Sequence, residues 1–260
     1  MISNFCDMLQ REYLLTPLMA AEIECYVMLA DESPASMDAF WVPVEKAFRH
    51  EGLPILRIEK ERGHHQYEVI TQVMPPERLA ETLVAIRSTI EKYAARMNID
   101  VYFTAKPFAE QPSSGLHIHT HLADTEGLNV FHKTEEWTSD YLRHSLGGLL
   151  ATMREHMPVF FPSEADYQRL ADVDHVPQIF GWGVNYRCCC LRIPLDPDLY
   201  NKRIEHRVPC ANSEPNAVIA AILSGIVHGL REGIEPPEQA HGKFLAGAEF
   251  KQALVPAPIG

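Results

Sequence analysis

Two short runs constrain this chain more than anything else in it. Glu22-Ile23-Glu24-Cys25-Tyr26-Val27 and Leu116-His117-Ile118-His119-Thr120-His121 alternate with a period of two. Successive side chains of a strand point to opposite faces. Glu22 and Glu24 therefore share a face opposite Ile23, Cys25 and Val27. His117, His119 and His121 likewise share one opposite Leu116, Ile118 and Leu122. The chain must build a sheet whose one face is apolar and whose other face carries carboxylates and imidazoles.

Val101 to Lys106, Gly181 to Ile193 and Arg203 to Val208 read as further extended segments. Between them the period changes. From Pro76 to Met97, the residues Leu79, Leu83, Ile86, Ile90, Tyr93 and Met97 form an apolar stripe opposite Glu81, Arg87 and Lys92, which predicts a helix. Helices are also expected from Ser139 to about His156, from Met37 to Glu51 with Gly52 closing it, and from Ser213-Glu214-Pro215 to Gly229 or Gly233. Strands follow one another as often as they alternate with helices, so the class is α+β, a mostly antiparallel sheet covered by helices. No Pro/Gly/Ser-rich linker interrupts the chain, and residues 1–260 read as one domain.

Charge narrows the partners. The chain has 35 acidic against 23 basic residues, a net charge of −12. It lacks the excess of Lys and Arg that phosphate-backbone binding uses, so no nucleic-acid partner is expected. The most apolar stretch, Ala217 to Val227, is roughly half the ~20 residues that a membrane span needs. With no signal-like N-terminus, the reading is cytoplasmic, without a membrane partner. The six cysteines, Cys6, Cys25, Cys188, Cys189, Cys190 and Cys210, include no C-x-x-C pair and read as free thiols.

Taken singly, each polar face is a solvated sheet surface. Taken together they say more. Glu61 and Glu68 bracket Gly63-His64-His65-Gln66-Tyr67, and Glu205 lies between Arg203 and Arg207. A carboxylate-rich set with a histidine suits Mg²⁺ or Mn²⁺, which prefer oxygen ligands. Neighbouring arginines suit phosphate oxygens. Cations plus arginines suggest a nucleoside triphosphate, yet neither G-x-x-x-x-G-K-S/T nor G-x-G-x-x-G is present, so a glycine-rich cradle is not the mode.

The order of these segments carries a resemblance. Ala21-Glu22-Ile23-Glu24, then Glu61 to Glu68 (E-R-G-H-H-Q-Y-E), Ala105-Lys106-Pro107, Ser114-Gly115-Leu116-His117-Ile118-His119, Tyr167-Gln168-Arg169-Leu170, Asn185-Tyr186-Arg187 through Leu191-Arg192-Ile193-Pro194, and Arg203-Ile204-Glu205-His206-Arg207 stand in sequence. From about Ala20 to Pro236 the chain resembles the catalytic domain of glutamine synthetase, whose patterns include E-P-E, E-x-A-P-G-Q-Y-E, S-G-M-H-x-H, Y-K-R-L and R-I-E-x-R. The resemblance implies the curved, mostly antiparallel sheet of the glutamine synthetase and guanidino kinase catalytic domains. It also implies an ATP-dependent ligase that joins a carboxylate to an amine through an acyl phosphate.

Residue by residue, it implies one metal site at Glu24, Glu61 and Glu68 and another at Glu22, His117 and Glu205, each for Mg²⁺ or Mn²⁺. His119, Arg192, Arg203 and Lys202 would approach the phosphates of ATP. Arg169, Arg187 and Arg207 would hold the carboxylate substrate or the transferring phosphoryl oxygens. Where the family places a glutamate near the attacking amine, this chain has His175, with Asp174 beside it, and either is expected to act as general base.

Other departures bear on substrate and assembly. The E-x-E strand begins at residue 22, so the β-grasp domain that precedes it in the family, with its ammonium-handling aspartate, is expected to be missing. The stretch from Glu24 to Glu61 is short, and Pro112-Ser113 replaces an Asn-Gly. These changes suggest an amine other than ammonium, small-molecule substrates, and no shared-site ring; another homo-oligomer stays open. So do two further readings, a phosphotransferase that stops at the phosphorylated product and a non-catalytic nucleotide-binding relative.

Overall fold

The structure, a computed structural model, describes residues 1–132, 138–172 and 176–240. The chain opens with helix α1 (Ile2–Tyr13), then strand β1 (Thr16–Val27), α2 (Pro34–His50), β2 (Ile55–Lys60), β3 (Gln66–Thr71), α3 (Pro76–Met97) and the short β4 (Val101–Tyr102). It continues through β5 (Leu116–Ala123), α4 (Asp140–Phe160), a 3₁₀ turn at Glu164–Ala171, β6 (Ile179–Val184), β7 (Cys189–Ile193), β8 (Ile204–His206) and α5 (Pro215–Glu232). The strands join one sheet in the order β2-β3-β1-β5-β8-β7-β6, with β4 also on β1. Every pairing is antiparallel except β6 with β7. The α+β class with a mostly antiparallel sheet is thus what the chain adopts.

β1 organises the sheet because its alternation is sustained. Met19, Ala21, Ile23 and Cys25 are fully buried, while Leu18, Ala20, Glu22 and Glu24 are partly exposed on the other side. The apolar side faces α3 and α1, and α4 packs on α5. Leu79, Leu83, Ile86 and Ile90 of the α3 stripe are fully buried, each contributing about 1.5–3 kcal/mol by leaving water. All helices thus lie where the sheet is apolar, which leaves the carboxylate face open.

The helices differ from expectation mainly at their ends. α2 starts earlier, at Pro34, because Ser33 caps it by accepting the Ser36 N–H at 3.2 Å. α4 runs through Pro158 to Phe160; a proline so near the C-terminus forfeits one ladder bond and ends the helix shortly after. α5 is capped by the Glu214 carboxylate, 3.0 Å from the Asn216 N–H and 2.7 Å from that of Ala217, with Pro215 in the first turn and a left-handed Gly233 at the end. The extended segment at residues 101–106 shrinks to Val101–Tyr102, because Ala105 bends away to accept the Ser114 N–H at 2.8 Å. Gly181 to Ile193 divides into β6 and β7 around a turn with left-handed Asn185.

α4 and α5 pack through glycine. A Cβ on Gly148 would strike the backbone of Gly225 and Gly229, and one on Gly229 would strike the carbonyl of His144. Gly181, by contrast, would place its Cβ at an ordinary 3.6 Å from Ile179. Gly148→Ala is expected to destabilise the chain by about 1–3 kcal/mol, since the helices must separate, while Gly181→Ala changes stability by less than about 1 kcal/mol. Urea denaturation of the two variants checks this; equal losses would contradict the packing account.

Candidate active site

The strand register assembles the site. In the β1–β5 pair Glu22 stands opposite His117 and Ala20 opposite His119; in the β1–β3 pair Glu24 stands opposite Glu68; and β8 places Glu205 opposite His119. Four neighbouring strands thus deliver four carboxylates and two imidazoles to one patch. His117 Nδ1 lies 3.2 Å from Glu22 Oε2 and 3.9 Å from Glu205 Oε1, and His119 Nε2 lies 3.0 Å from Glu22 Oε1. Ligand atoms of Glu22, His117 and Glu205 fall within 4.8 Å of one another, and so do those of Glu24, Glu68 and His117.

The first trio is the set expected from the sequence. The second differs, because His117 rather than Glu61 completes it. Glu61 sits just beyond β2, on a turn, and lines a cavity of about 370 Å³ together with Glu24, His117, Gln66, Lys106 and Arg169. Gly115 is required here: a Cβ would come 2.6 Å from Arg169 Nη2 and 2.9 Å from His117 Nε2. Its N–H donates to Glu24 Oε2 at 2.8 Å, which fixes that carboxylate.

Arginines surround the cluster, each differently held. Arg169, buried in the 3₁₀ turn, donates to the carbonyls of Val208 at 2.8 Å and Arg207 at 3.2 Å; its Nε–H has no partner among the described residues. The turn is braced by a capping box between Ser163 and Asp166. Arg207 is buried, ion-paired to Glu205, and donates from Nε to the carbonyl of Arg187 at 3.0 Å. Arg187 itself is exposed between β6 and β7. Arg192 donates to Glu205 Oε2 and to Asn185 Oδ1, both at 2.6 Å. Arg203 lines a second cavity, of about 440 Å³, with Glu22, His119 and His121 against apolar walls from Leu18, Ile70 and Tyr200. Lys202 is buried next to it, and burial lowers its pKa. Asp174 and His175 lie outside the described residues.

Two residues of the first cavity, Asp172 and Gln66, have structural partners that the sequence does not signal. Asp172 ion-pairs with Lys106 and accepts the Ser113 N–H at 2.8 Å, tying the end of the 3₁₀ turn to the segment before β5. Gln66 donates to Ser113 O at 3.0 Å and to Ser114 Oγ at 3.2 Å, holding the same segment from the β3 side. Lys106 and Gln66 stand inside recognised motifs, but their partners are distant in sequence.

Electrostatics divide the carboxylates into two kinds. Burial pushes Glu24 up to about 7 against the pull of Arg169, and the nearby Glu61 adds to the rise. Burial, together with the charges of Glu22, Glu24 and Glu61, raises Glu68 far above the usual carboxylate range. Burial also opposes ionisation of Glu22 and Glu205. His119 and His117 outweigh it at Glu22, and Arg207 with the same histidines outweighs it at Glu205, so both stay low. Burial and Arg207 lower His117 to about 4, leaving a neutral imidazole whose Nε2 has no hydrogen-bond partner among the described residues. Buried carboxylates that repel one another around a neutral, unpartnered imidazole nitrogen fit divalent cations, whose charge would reverse the repulsion.

Comparison with known proteins agrees with this geometry. Residues 26–257 match the family described as glutamine synthetase, catalytic domain. The chain is 34% identical over 176 residues to gamma-glutamylputrescine synthetase PuuA of Escherichia coli (strain K12), covering 68% of this chain and 36% of that protein. It is 28% identical over 220 residues to a glutamate–isopropylamine ligase of a Pseudomonas species, covering 84% and 47%. It therefore spans less than half the length of these relatives. In fold it is similar to the Plasmodium falciparum glutamine synthetase solved by electron cryomicroscopy, with a TM-score of 0.83 at 16% identity over 90% of this chain and 56% of that one. A GmaS/ADP complex gives a TM-score of 0.80 at 19% identity, covering 92% and 60%. Among the described residues no helix is long and apolar enough to cross a membrane.

The raised carboxyls have a consequence for stability. Glu24 and Glu68 keep protons in the folded chain that they lose near pH 4.3 when unfolded, so stability without metal falls as pH rises through that interval, by up to ~1.4 kcal/mol per unit for each group. His117 at about 4 and His206 at about 3 act in the opposite sense, but only up to their unfolded value near 6.5. Above about pH 6.5 the carboxyls decide the slope. In EDTA, the melting temperature of Glu68→Gln relative to the unsubstituted chain should climb between pH 6.5 and 8, and Mn²⁺ should shrink that advantage. A pH-independent difference would contradict the assignment.

Proposed function

The chain belongs to the glutamine synthetase catalytic-domain family, and on that premise we propose that it catalyses ATP-dependent joining of a carboxylate, glutamate or a close relative, to a primary amine larger than ammonium. The observation that carries this reading is the position of His117. It belongs to both ligand trios, with a cavity on each side of the cluster: Glu24 and His117 line the first, and Glu22, with His119 beside it, lines the second. One patch of metal ligands thus separates a polar chamber containing Arg169 from one with apolar walls and Arg203. That arrangement suits a phosphoryl donor on one side and its acceptor on the other.

Glu22, His117 and Glu205 would hold one Mg²⁺ or Mn²⁺, and Glu24 and Glu68 would hold another with Glu61 close by. Bound there, the ions would offset the negative charge of the phosphates. ATP occupies the second cavity, its base against Leu18, Ile70 and Tyr200, and its phosphates toward His119 and Arg203, with Lys202 and Arg192 nearby. The carboxylate substrate lies in the first cavity near Arg169, while Arg187 and Arg207 face the transferring phosphoryl oxygens. A carboxylate oxygen attacks the γ-phosphorus and ADP leaves. The amine nitrogen then attacks the acyl carbon, phosphate leaves, and His175 or Asp174 takes the amine proton. Arg207 and Arg169 are buried and already held by backbone carbonyls, so they supply positive charge without reorganising.

The relatives support the amine: one is a gamma-glutamylputrescine synthetase and another a glutamate–isopropylamine ligase. The Pro112-Ser113 segment, pulled toward Asp172 rather than left open, is consistent with a reshaped acceptor side. The test is a coupled measurement of ADP and amide with glutamate and ATP–Mg²⁺ against a panel of ammonium, isopropylamine and putrescine. The expected result is equal amounts of ADP and γ-glutamyl amide, with an alkylamine preferred over ammonium. ADP formation with no dependence on amine would favour a phosphotransferase, and no turnover with any pair would refute the ligase reading.

A further inference from the structure

The turn that carries Glu61 is closed by a residue from another part of the chain. Glu32, between β1 and α2, places Oε1 2.8 Å from the His65 N–H. Its Oε2 lies 2.8 Å from Lys60 Nζ and 2.7 Å from His64 Nδ1. Lys60 precedes Glu61 and the two histidines follow it, so a single carboxylate staples the turn on both sides of Glu61. The turn needs such a brace. His65 has φ of 64°, a left-handed conformation that a residue with a Cβ adopts only when its surroundings hold it there. Its carbonyl is held by the Val27 N–H at 2.9 Å and its own N–H by Glu32.

The three contacts are not equal. Lys60 and His64 are well exposed, with 45% and 66% of their side-chain surface in solvent, and exposed pairs contribute little. His65 is buried, and its N–H would be left without an acceptor if Glu32 were shortened. The opposite side of the turn is fixed independently. Gln66 accepts the Gly63 N–H at 3.1 Å, and Gln111 accepts that of His64 at 2.9 Å. Glu32 is therefore the side-chain link between this turn and the segment leading from β1 into α2, alongside the backbone bond from Val27.

We infer that Glu32 is a positioning residue for the active site: its own contacts are with Lys60, His64 and His65, and it sets the place of Glu61 beside the Glu24–Glu68 carboxylates by holding the turn of residues 60–65. This rests on the reading that Glu61 contributes to cation binding. The bond to the His65 N–H carries the effect, so the shape of Glu32 matters more than its charge.

The experiment is Mn²⁺ titration of the chain of residues 1–260, following free Mn²⁺ by electron paramagnetic resonance, for Glu32→Ala, Glu32→Gln, Glu61→Gln and Glu32→Ala combined with Glu61→Gln. The expected pattern is about a tenfold loss of affinity for the weaker-bound ion in Glu32→Ala and in Glu61→Gln, and no further loss in the double variant. Glu32→Gln, which keeps an acceptor for His65, should stay near the unsubstituted affinity. Hydrogen exchange of the metal-free protein gives a second readout: the His65 amide should exchange faster in Glu32→Ala but not in Glu32→Gln. If Glu61→Gln weakens Mn²⁺ binding and Glu32→Ala does not, or if the two losses add fully, the positioning role is overturned while Glu61 remains a contributor. If Glu61→Gln itself leaves binding unchanged, the underlying reading falls, and this one with it.

Discussion

Mutual repulsion among buried carboxylates is the constraint on which the rest of this structure depends. Glu24 and Glu68 are register partners on adjacent strands, Glu22 is two residues along from Glu24, and Glu205 comes from the far side of His117. Like charges directly opposite one another destabilise a sheet, and burial adds to the penalty. The chain meets this in two ways. At Glu205 it supplies fixed positive partners, Arg207 and Arg192, and at Glu22 it supplies hydrogen-bonding imidazoles, His117 and His119. At Glu24 and Glu68 burial and like charge prevail, and both groups are raised above the usual carboxylate range. A face arranged only for stability would have no need of the second group.

Everything else serves to keep that face open and rigid. β1 pairs with β3 and β5 along most of its length, which sets the spacing of the ligand-bearing side chains. The helices all pack on the apolar side, with α4 and α5 locked through glycine so that they lie close. Loops then act at the margins. Gln66, Asp172 and Lys106 draw the segment before β5 against the cavity, and Glu32 closes the turn after β2. Each of these joins positions remote in sequence, and the rigidity of the cavity wall comes from such links rather than from local propensity.

Much of the sheet face could be read from residue order, and the reasons are physical. Period-two alternation in β1 and β5 identifies a face without reference to any partner, and Glu22, His117 and Glu205 follow as a group once the motifs are aligned. The stripe of α3 was legible over its whole length because six apolar residues recur at helical spacing. Other elements were not. β3 is buried on both faces, so it shows no alternation, and β2 is a short edge strand of mixed character. α1 lies at the margin of the core, burying only Ile2 and Leu9. Motif order groups Glu61 with Glu24 and Glu68; in the structure His117 brings a ligand atom within 4.8 Å of those two, and Glu61 lines the same cavity. The Lys106–Asp172 pair spans 66 residues and has no local signature at all.

The proposed reaction requires a sheet face that holds two divalent cations, one on either side of His117. A crystal structure of the chain grown with Mn²⁺ and an ATP analogue, with anomalous scattering recorded at the manganese edge, tests it most directly. The account predicts two anomalous peaks, one at about 2.0–2.3 Å from oxygens of Glu22 and Glu205 and from a nitrogen of His117, and the other at the same range from Glu24 and Glu68. A single peak elsewhere on the surface, or an analogue bound with no ion touching these carboxylates, would contradict it.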